Sequence, residues 1–164
     1  MLFDPLMRRL LPPQLFLLCG AGATALGLAL PVAGPLATAA RLAGAVPLVA
    51  GIALSKHGSD LFGRSRTNIK TFDDPDVLVT GGPFGFTRNP MYLGFTVALV
   101  GVGVLVGSMS AVIGPTVFWL LADRWYIPLE ERRMAATFGA DYERYRSAVP
   151  RWIGRRRPVQ HSTP

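Results

Sequence analysis

Four apolar stretches decide what this chain can fold into. Residues 14–32 and 91–107 carry no charged side chain, residues 36–55 carry one, Arg41, and residues 111–126 meet charge only at Asp123 and Arg124. A helix of about twenty apolar residues crosses the hydrocarbon core of a bilayer, so each stretch reads as a membrane span. Half of the 164 residues are hydrophobic and 16% are charged, which is more apolar than a soluble domain of this size. The expectation is an all-α polytopic membrane protein with four transmembrane helices in a single domain. Glycines recur through the spans (Gly20, Gly22, Gly27, Gly44, Gly51, Gly101, Gly103), as close helix packing requires.

Charge then sets orientation. Arg8 and Arg9 precede the first span, Lys56, His57, Arg64, Arg66 and Lys70 follow the second, and Arg132 and Arg133 follow the fourth. The corners at Pro31–Pro35 and Gly107–Ser110 carry no charge. Basic loops stay on the cytoplasmic side, so both termini are expected there, in the inner or plasma membrane if the source is bacterial. The formal charge of +7 would indicate nucleic acid in a soluble chain. Here the basic residues stand where anionic headgroups lie, and the expected partner is the bilayer, with no nucleic acid.

Arg41 near the start of the second span either snorkels to the interface or pairs inside the bundle, and snorkelling is preferred. Cys19 is the lone cysteine, which leaves no disulfide within the chain and no thiolate cluster. His57 and His161 are the two histidines, and no metal site is expected from them. The first apolar run is long enough to span and has no clear cleavage site after it, so no signal peptide is expected.

Polar chemistry meets the membrane at residues 78–94, Leu-Val-Thr-Gly-Gly-Pro-Phe-Gly-Phe-Thr-Arg-Asn-Pro-Met-Tyr-Leu-Gly. Pro83 and Pro90 fix φ and withhold an N–H, while Gly81, Gly82 and Gly85 widen the allowed backbone. Pro90 suits a first helical turn, so a helix is expected from Met91. After the fourth span Pro128 is expected to open another helix. Within it Leu129, Met134, Phe138, Tyr142 and Tyr145 recur at helical spacing, as in an amphipathic helix lying against the mouth of the bundle. Glu130 and Glu131 in its first turn suit the positive end of the helix dipole, and an acid there could also hold a cationic ligand. Val149-Pro150-Arg151-Trp152-Ile153 is a further basic-aromatic element.

Three blocks carry a resemblance: Leu78–Phe84 running into Arg88-Asn89-Pro90-Met91-Tyr92-Leu93-Gly94, then Glu130-Glu131 with Phe138-Gly139 and Tyr142-Glu143-Arg144-Tyr145, then Val149-Pro150-Arg151-Trp152. In this order the chain resembles the isoprenylcysteine carboxyl methyltransferase-like family of integral membrane methyltransferases, which includes phospholipid N-methyltransferases. The resemblance covers residues 64–153, the catalytic part, between an N-terminal helical hairpin at 1–63 and a tail at 154–164 expected to be disordered.

The resemblance implies S-adenosylmethionine as cofactor, in a cytosolic-side pocket capped by the C-terminal amphipathic helix. Asp76, Val77, Leu78 and Val79 would line its adenosine end. Phe84, where the family often has tyrosine, would pack against it. Asn89, Pro90, Met91 and Tyr92 match the family motif, and Glu130 matches the acid that contacts the cofactor. Arg88, Tyr92 and Arg151 are the candidate catalytic residues, with Arg88 or Arg151 meeting a carboxylate. The family's substrate-side arginine, one turn before the acid, is not matched: Tyr126 stands there and Arg124 lies out of register.

In-line displacement at a sulfonium asks mainly that donor and nucleophile be held collinear and dry. The expected acceptor is a lipophilic or amphiphilic small molecule or lipid, with carboxyl O-methylation slightly preferred over N-methylation of a phospholipid amine. A nicotinamide-dependent reductase of isoprenoid or sterol chains and a helical scaffold without activity are the alternatives from other classes.

Overall fold

A computed structural model of the chain describes residues 10–32, 38–64 and 77–154. Among them every regular element is helical. Helix α1 covers Pro12–Ala29, α2 is the short Thr38–Leu42, and α3 runs Ala45–Arg64. A 3-10 turn at Gly82–Gly85 leads to α4, Pro90–Val106, and another at Met109–Val112 leads to α5, Ile113–Leu121. A π turn at Ala122–Tyr126 carries α5 without a break into α6, Ile127–Phe138, and α7 follows at Ala140–Ala148. Arg8, Arg9, the charged residues of 65–76 with Asp76 among them, His161 and the expected tail beyond Gly154 lie outside the described residues.

Helix α4 is the hub against which α1, α3 and α5 all pack. Along α3 the approach is backbone to backbone. A Cβ on Gly44 would lie 2.7 Å from the Gly101 carbonyl oxygen, and one on Gly94 would lie 2.7 Å from Ser55 N. Such distances exclude any larger side chain, so Gly44, Gly51, Gly94 and Gly101 are close-packing glycines, whereas a Cβ at Gly22 would meet nothing within 4 Å. A second stripe of α4, with Tyr92, Phe95 and Leu99, joins Leu15, Phe16 and Cys19 of α1 and Phe118 of α5 in the core. Phe95 stacks on Phe16 at 4.7 Å and meets Phe118 edge-on at 5.9 Å, geometries that aromatic quadrupoles favour.

The spans differ from the expected ones in detail. By length and composition α1 is a helix able to cross a membrane, and α4 is apolar but shorter at 17 residues. The second apolar stretch is divided by a turn at Ala43–Gly44, and α3 then continues past Ser55 through Lys56 and His57 to Arg64. Outward faces are nonetheless apolar: Leu17, Leu18 and Leu28 on α1, Val46, Val49 and Ile52 on α3, and Ile113, Val117 and Leu120 on α5 are exposed.

Two further expectations are corrected. Pro128 does not open a separate helix, because the π turn carries the chain through it. The single amphipathic helix after it is two helices, broken at Gly139, whose φ of 51° a side chain rarely adopts.

Arg41 binds the end of a neighbouring helix. Its Nη2 donates to the Val106 carbonyl at the C-terminus of α4, beside Gly107 at φ 73°. A cation is favoured at that end of a helix, where carbonyls lack amide partners.

Candidate functional site

The turn before α4 is built by its own side chains. Pro83 places its carbonyl to accept from Phe86 N and Thr87 N, each at 3.2 Å. Thr87, fully buried, accepts from Asn89 N at 3.2 Å and donates to the Arg151 carbonyl at 3.1 Å. Asn89 Nδ2 donates to that same carbonyl at 2.9 Å, and Arg88 N donates to the Pro150 carbonyl at 2.9 Å. The turn thus reads the main chain of the C-terminal segment, sixty residues onward in sequence.

The side chains return the grip. Arg88 Nη2 donates to Glu131 Oε1 at 2.7 Å and Nη1 to the carbonyls of Val149 and Arg146 at 2.6 and 3.0 Å. Arg151 Nη2 and Nε donate to Glu131 Oε2 and Oε1 at 2.6 and 3.2 Å. One carboxylate therefore binds two guanidinium groups, the second in the bidentate fork that arginine favours. Burial opposes ionisation of Glu131, but hydrogen bonds from Arg151 and Arg88 outweigh it and hold its carboxyl below the usual range. The Glu131 hydrogen bond correspondingly raises Arg151.

On the same face the Tyr92 hydroxyl donates to Glu130 Oε1 at 2.7 Å, joining the first turn of α4 to that of α6. Arg151 Nη1 also reaches Asp123 Oδ1 at 3.2 Å, and Trp152 Nε1 donates to that oxygen at 2.9 Å. Eight residues along a regular α-helix would leave Asp123 and Glu131 about 80° apart, and one π turn removes roughly one residue of rotation, bringing them within about 20°. The π register has a second effect. Ile127 N–H reaches back to the Ala122 carbonyl, but Pro128 has no N–H to reach the next one. Arg151 Nη1 approaches that carbonyl, of Asp123, at 3.4 Å.

The structure gathers Arg88, Asn89, Tyr92, Glu130 and Arg151 at one end of the bundle. Pro90 is buried in the first turn of α4, and Met91 beside it borders Gly58 of α3. Phe84 packs edge-on against Phe62 at 5.1 Å, and its carbonyl accepts from the Tyr145 hydroxyl at 2.9 Å. Val77 is exposed and Leu78 and Val79 are half-buried on the way into the 3-10 turn. Tyr126 is fully buried and donates its hydroxyl to the Leu10 carbonyl at 2.6 Å. Arg124 points outward with its side chain 77% exposed, in contact with Asp123.

Sequence reasoning missed Thr87, Asp123 and the central place of Glu131. The paired acids at 130 and 131 were a visible signal. Their different partners, a tyrosine and two arginines, were not.

Among the described residues Asp123 and Glu131 together meet three guanidinium groups, those of Arg88, Arg124 and Arg151, and Arg88 Nε is buried without a hydrogen-bond partner. The Arg88 Nε donor suits an added acceptor.

Residues 39–141 match the family described as phospholipid methyltransferase. The chain is 35% identical over 78 residues to protein-S-isoprenylcysteine O-methyltransferase of Schizosaccharomyces pombe, covering 47% of this chain and 33% of that one. It is 32% identical over 111 residues to protein-S-isoprenylcysteine O-methyltransferase B of Arabidopsis thaliana, covering 65% and 55%. The chain thus spans a third to about half of the length of these curated relatives. No solved structure matches it. The chain belongs to the phospholipid methyltransferase family and, within it, is of the isoprenylcysteine O-methyltransferase-like kind.

Proposed function

We propose that this chain transfers a methyl group from S-adenosylmethionine to a lipophilic or amphiphilic acceptor held in the membrane. The observation that carries the reading is the convergence of Tyr92, Glu130, Asn89 and Arg88 with the C-terminal segment at one end of the bundle. The exposed apolar faces of α1, α3 and α5 support a bilayer setting with four passes. The basic flanks support placing this end and both termini on the cytoplasmic side.

When bound, the donor supplies an electrophilic methyl on a positively charged sulfur. Glu130, oriented by Tyr92, would meet the cationic portion of the donor. Val77 to Val79 and Phe84, with Asp76 from outside the described residues, would hold its adenosine end, and Asn89, Pro90 and Met91 would form the adjoining wall. Arg88 and Arg151, both engaged by Glu131, hold the C-terminal segment closed and exclude water from the transfer. The helical bundle would admit the acceptor from the side, and in-line transfer would require its nucleophilic head to be held against the donor at this end.

The relatives' names favour a carboxyl oxygen as the acceptor atom. A second reading, an amine headgroup, draws support from the two arginines: both guanidinium groups are already neutralised by carboxylates, and Tyr126 stands where an arginine would meet a carboxylate.

Calorimetric titration of the detergent-purified protein with S-adenosylmethionine, S-adenosylhomocysteine and NADPH tests the reading. Micromolar binding of the first two without NADPH is the expected result. NADPH binding alone moves the chain to reduction, and a folded sample that binds none of the three is a scaffold.

A further inference from the structure

Arg151 is held from two sides. Glu131 grips it from α6 through a bidentate pair. Asp123 supplies the second anchor from the π turn, about two helical turns away. Its Oδ1 accepts from Arg151 Nη1 at 3.2 Å and from Trp152 Nε1 at 2.9 Å, and its side chain is 16% exposed. Trp152 in turn lies against Trp119 of α5, ring centres 6.1 Å apart. The Arg151 carbonyl is the acceptor shared by Thr87 and Asn89. Asp123 is thus two bonds from the motif turn, through a residue whose side chain and main chain face opposite partners.

We infer that Asp123 is a positioning residue: through Arg151 and Trp152 it holds the Val149–Trp152 segment over the Thr87–Asn89 turn, and so shapes the donor site. The inference rests on the methyl-transfer reading. A carboxylate here accepts two donors at once, which an amide oxygen does less strongly and an alanine not at all. The π turn is what makes this possible, since it turns Asp123 onto the face of Glu131 and leaves the Asp123 carbonyl without an amide at Pro128.

The test uses the full chain in detergent, with Asp123→Ala, Asp123→Asn, Trp152→Phe and the double variant Asp123→Ala/Trp152→Phe. Affinity for S-adenosylhomocysteine is measured by calorimetry and trypsin cleavage after Arg151 is timed. Asp123→Ala is expected to weaken binding about tenfold and to speed cleavage, the scale of a lost hydrogen bond to a charged group. Asp123→Asn, which still accepts from Trp152, loses about threefold with its melting temperature held, a graded recovery that a general loss of stability does not give. The double variant binds within about twofold of Asp123→Ala, because the two side chains act as a unit.

Unchanged affinity and unchanged cleavage in Asp123→Ala overturn the inference. Should that variant fail to fold, unchanged affinity in both Asp123→Asn and Trp152→Phe does the same. A wild-type protein that binds neither adenosyl compound removes the methyl-transfer reading, and the cleavage rates then decide alone: equal rates in wild type and Asp123→Asn overturn the holding role, and faster cleavage in the variant supports it.

Discussion

Glu130 Oε1 lies 2.7 Å from the Tyr92 hydroxyl, so an acid in the first turn of α6 is aimed by a phenol in the first turn of α4. The two residues are 38 positions apart. Their pairing makes Glu130→Ala the most informative single change. It is expected to abolish donor binding in calorimetry while the protein stays folded in detergent. Tyr92→Phe, which keeps the ring but loses the hydroxyl, is expected to weaken binding about tenfold, as for a hydrogen bond to a charged group. Unchanged donor affinity in Glu130→Ala would remove that residue from the site.

Asn89→Ala is expected to weaken donor binding more than His57→Ala. Asn89 is buried and donates to the Arg151 carbonyl at 2.9 Å, whereas His57 is exposed on α3. The reverse order of affinities would move the donor site toward the end of α3.

Stability should depend on the charge of Glu131. Its folded-state carboxyl lies below the usual range, so its contribution is complete above the unfolded value of about 4.3 and is lost as pH falls through the lower folded value. Glu131→Gln at neutral pH leaves Arg88, whose side chain is 10% exposed, without its carboxylate. A cost of about 3 kcal/mol is expected on the scale of a broken buried pair. Denaturant melts at pH 7 and at about pH 3 check both parts, since the gap between variant and wild type should shrink at the acid end.

Gly101→Val should lower the melting temperature more than Gly22→Val. A Cβ at Gly101 would lie 2.5 Å from Leu48 N, while one at Gly22 meets nothing within 4 Å. Overpacking of this kind costs about 1–3 kcal/mol. Equal melting temperatures would mean that α3 and α4 are not held backbone to backbone.

Labelled methyl groups distinguish the two acceptor readings. Lipid extracts incubated with the protein and a tritiated donor should yield base-labile, volatile label if the product is a carboxyl ester. Base-stable label in the lipid phase would select the amine.

Much of this arrangement was legible because it is local. The prolines at 83 and 90 and the asparagine between turn and helix announce where α4 begins, and the glycines of α3 and α4 announce how near they come. What was hidden depends on helix phase. A regular count from Glu131 back to Asp123 puts them on different faces, and residue spacing carries no mark of the π turn that aligns them. The spacing of Leu129, Met134, Phe138, Tyr142 and Tyr145 likewise runs smoothly through Gly139, although the backbone breaks there. The partner of Arg41, the Val106 carbonyl, is 65 residues away in sequence and carries no mark in the spacing around Arg41.

The π turn also determines which mutations the segment from Ile113 to Phe138 tolerates. Substitutions there alter one side chain each. Loss of a single residue between Asp123 and Ile127 would instead restore a plain α-helix in which Asp123 and Glu131 stand seven residues apart, about 700° of rotation, and so keep their shared face. Loss of a residue between Pro128 and Glu131 would leave the π turn in place and swing Glu131 about 100° away from Asp123. A change of length is absorbed at the π turn and nowhere else between these two acids.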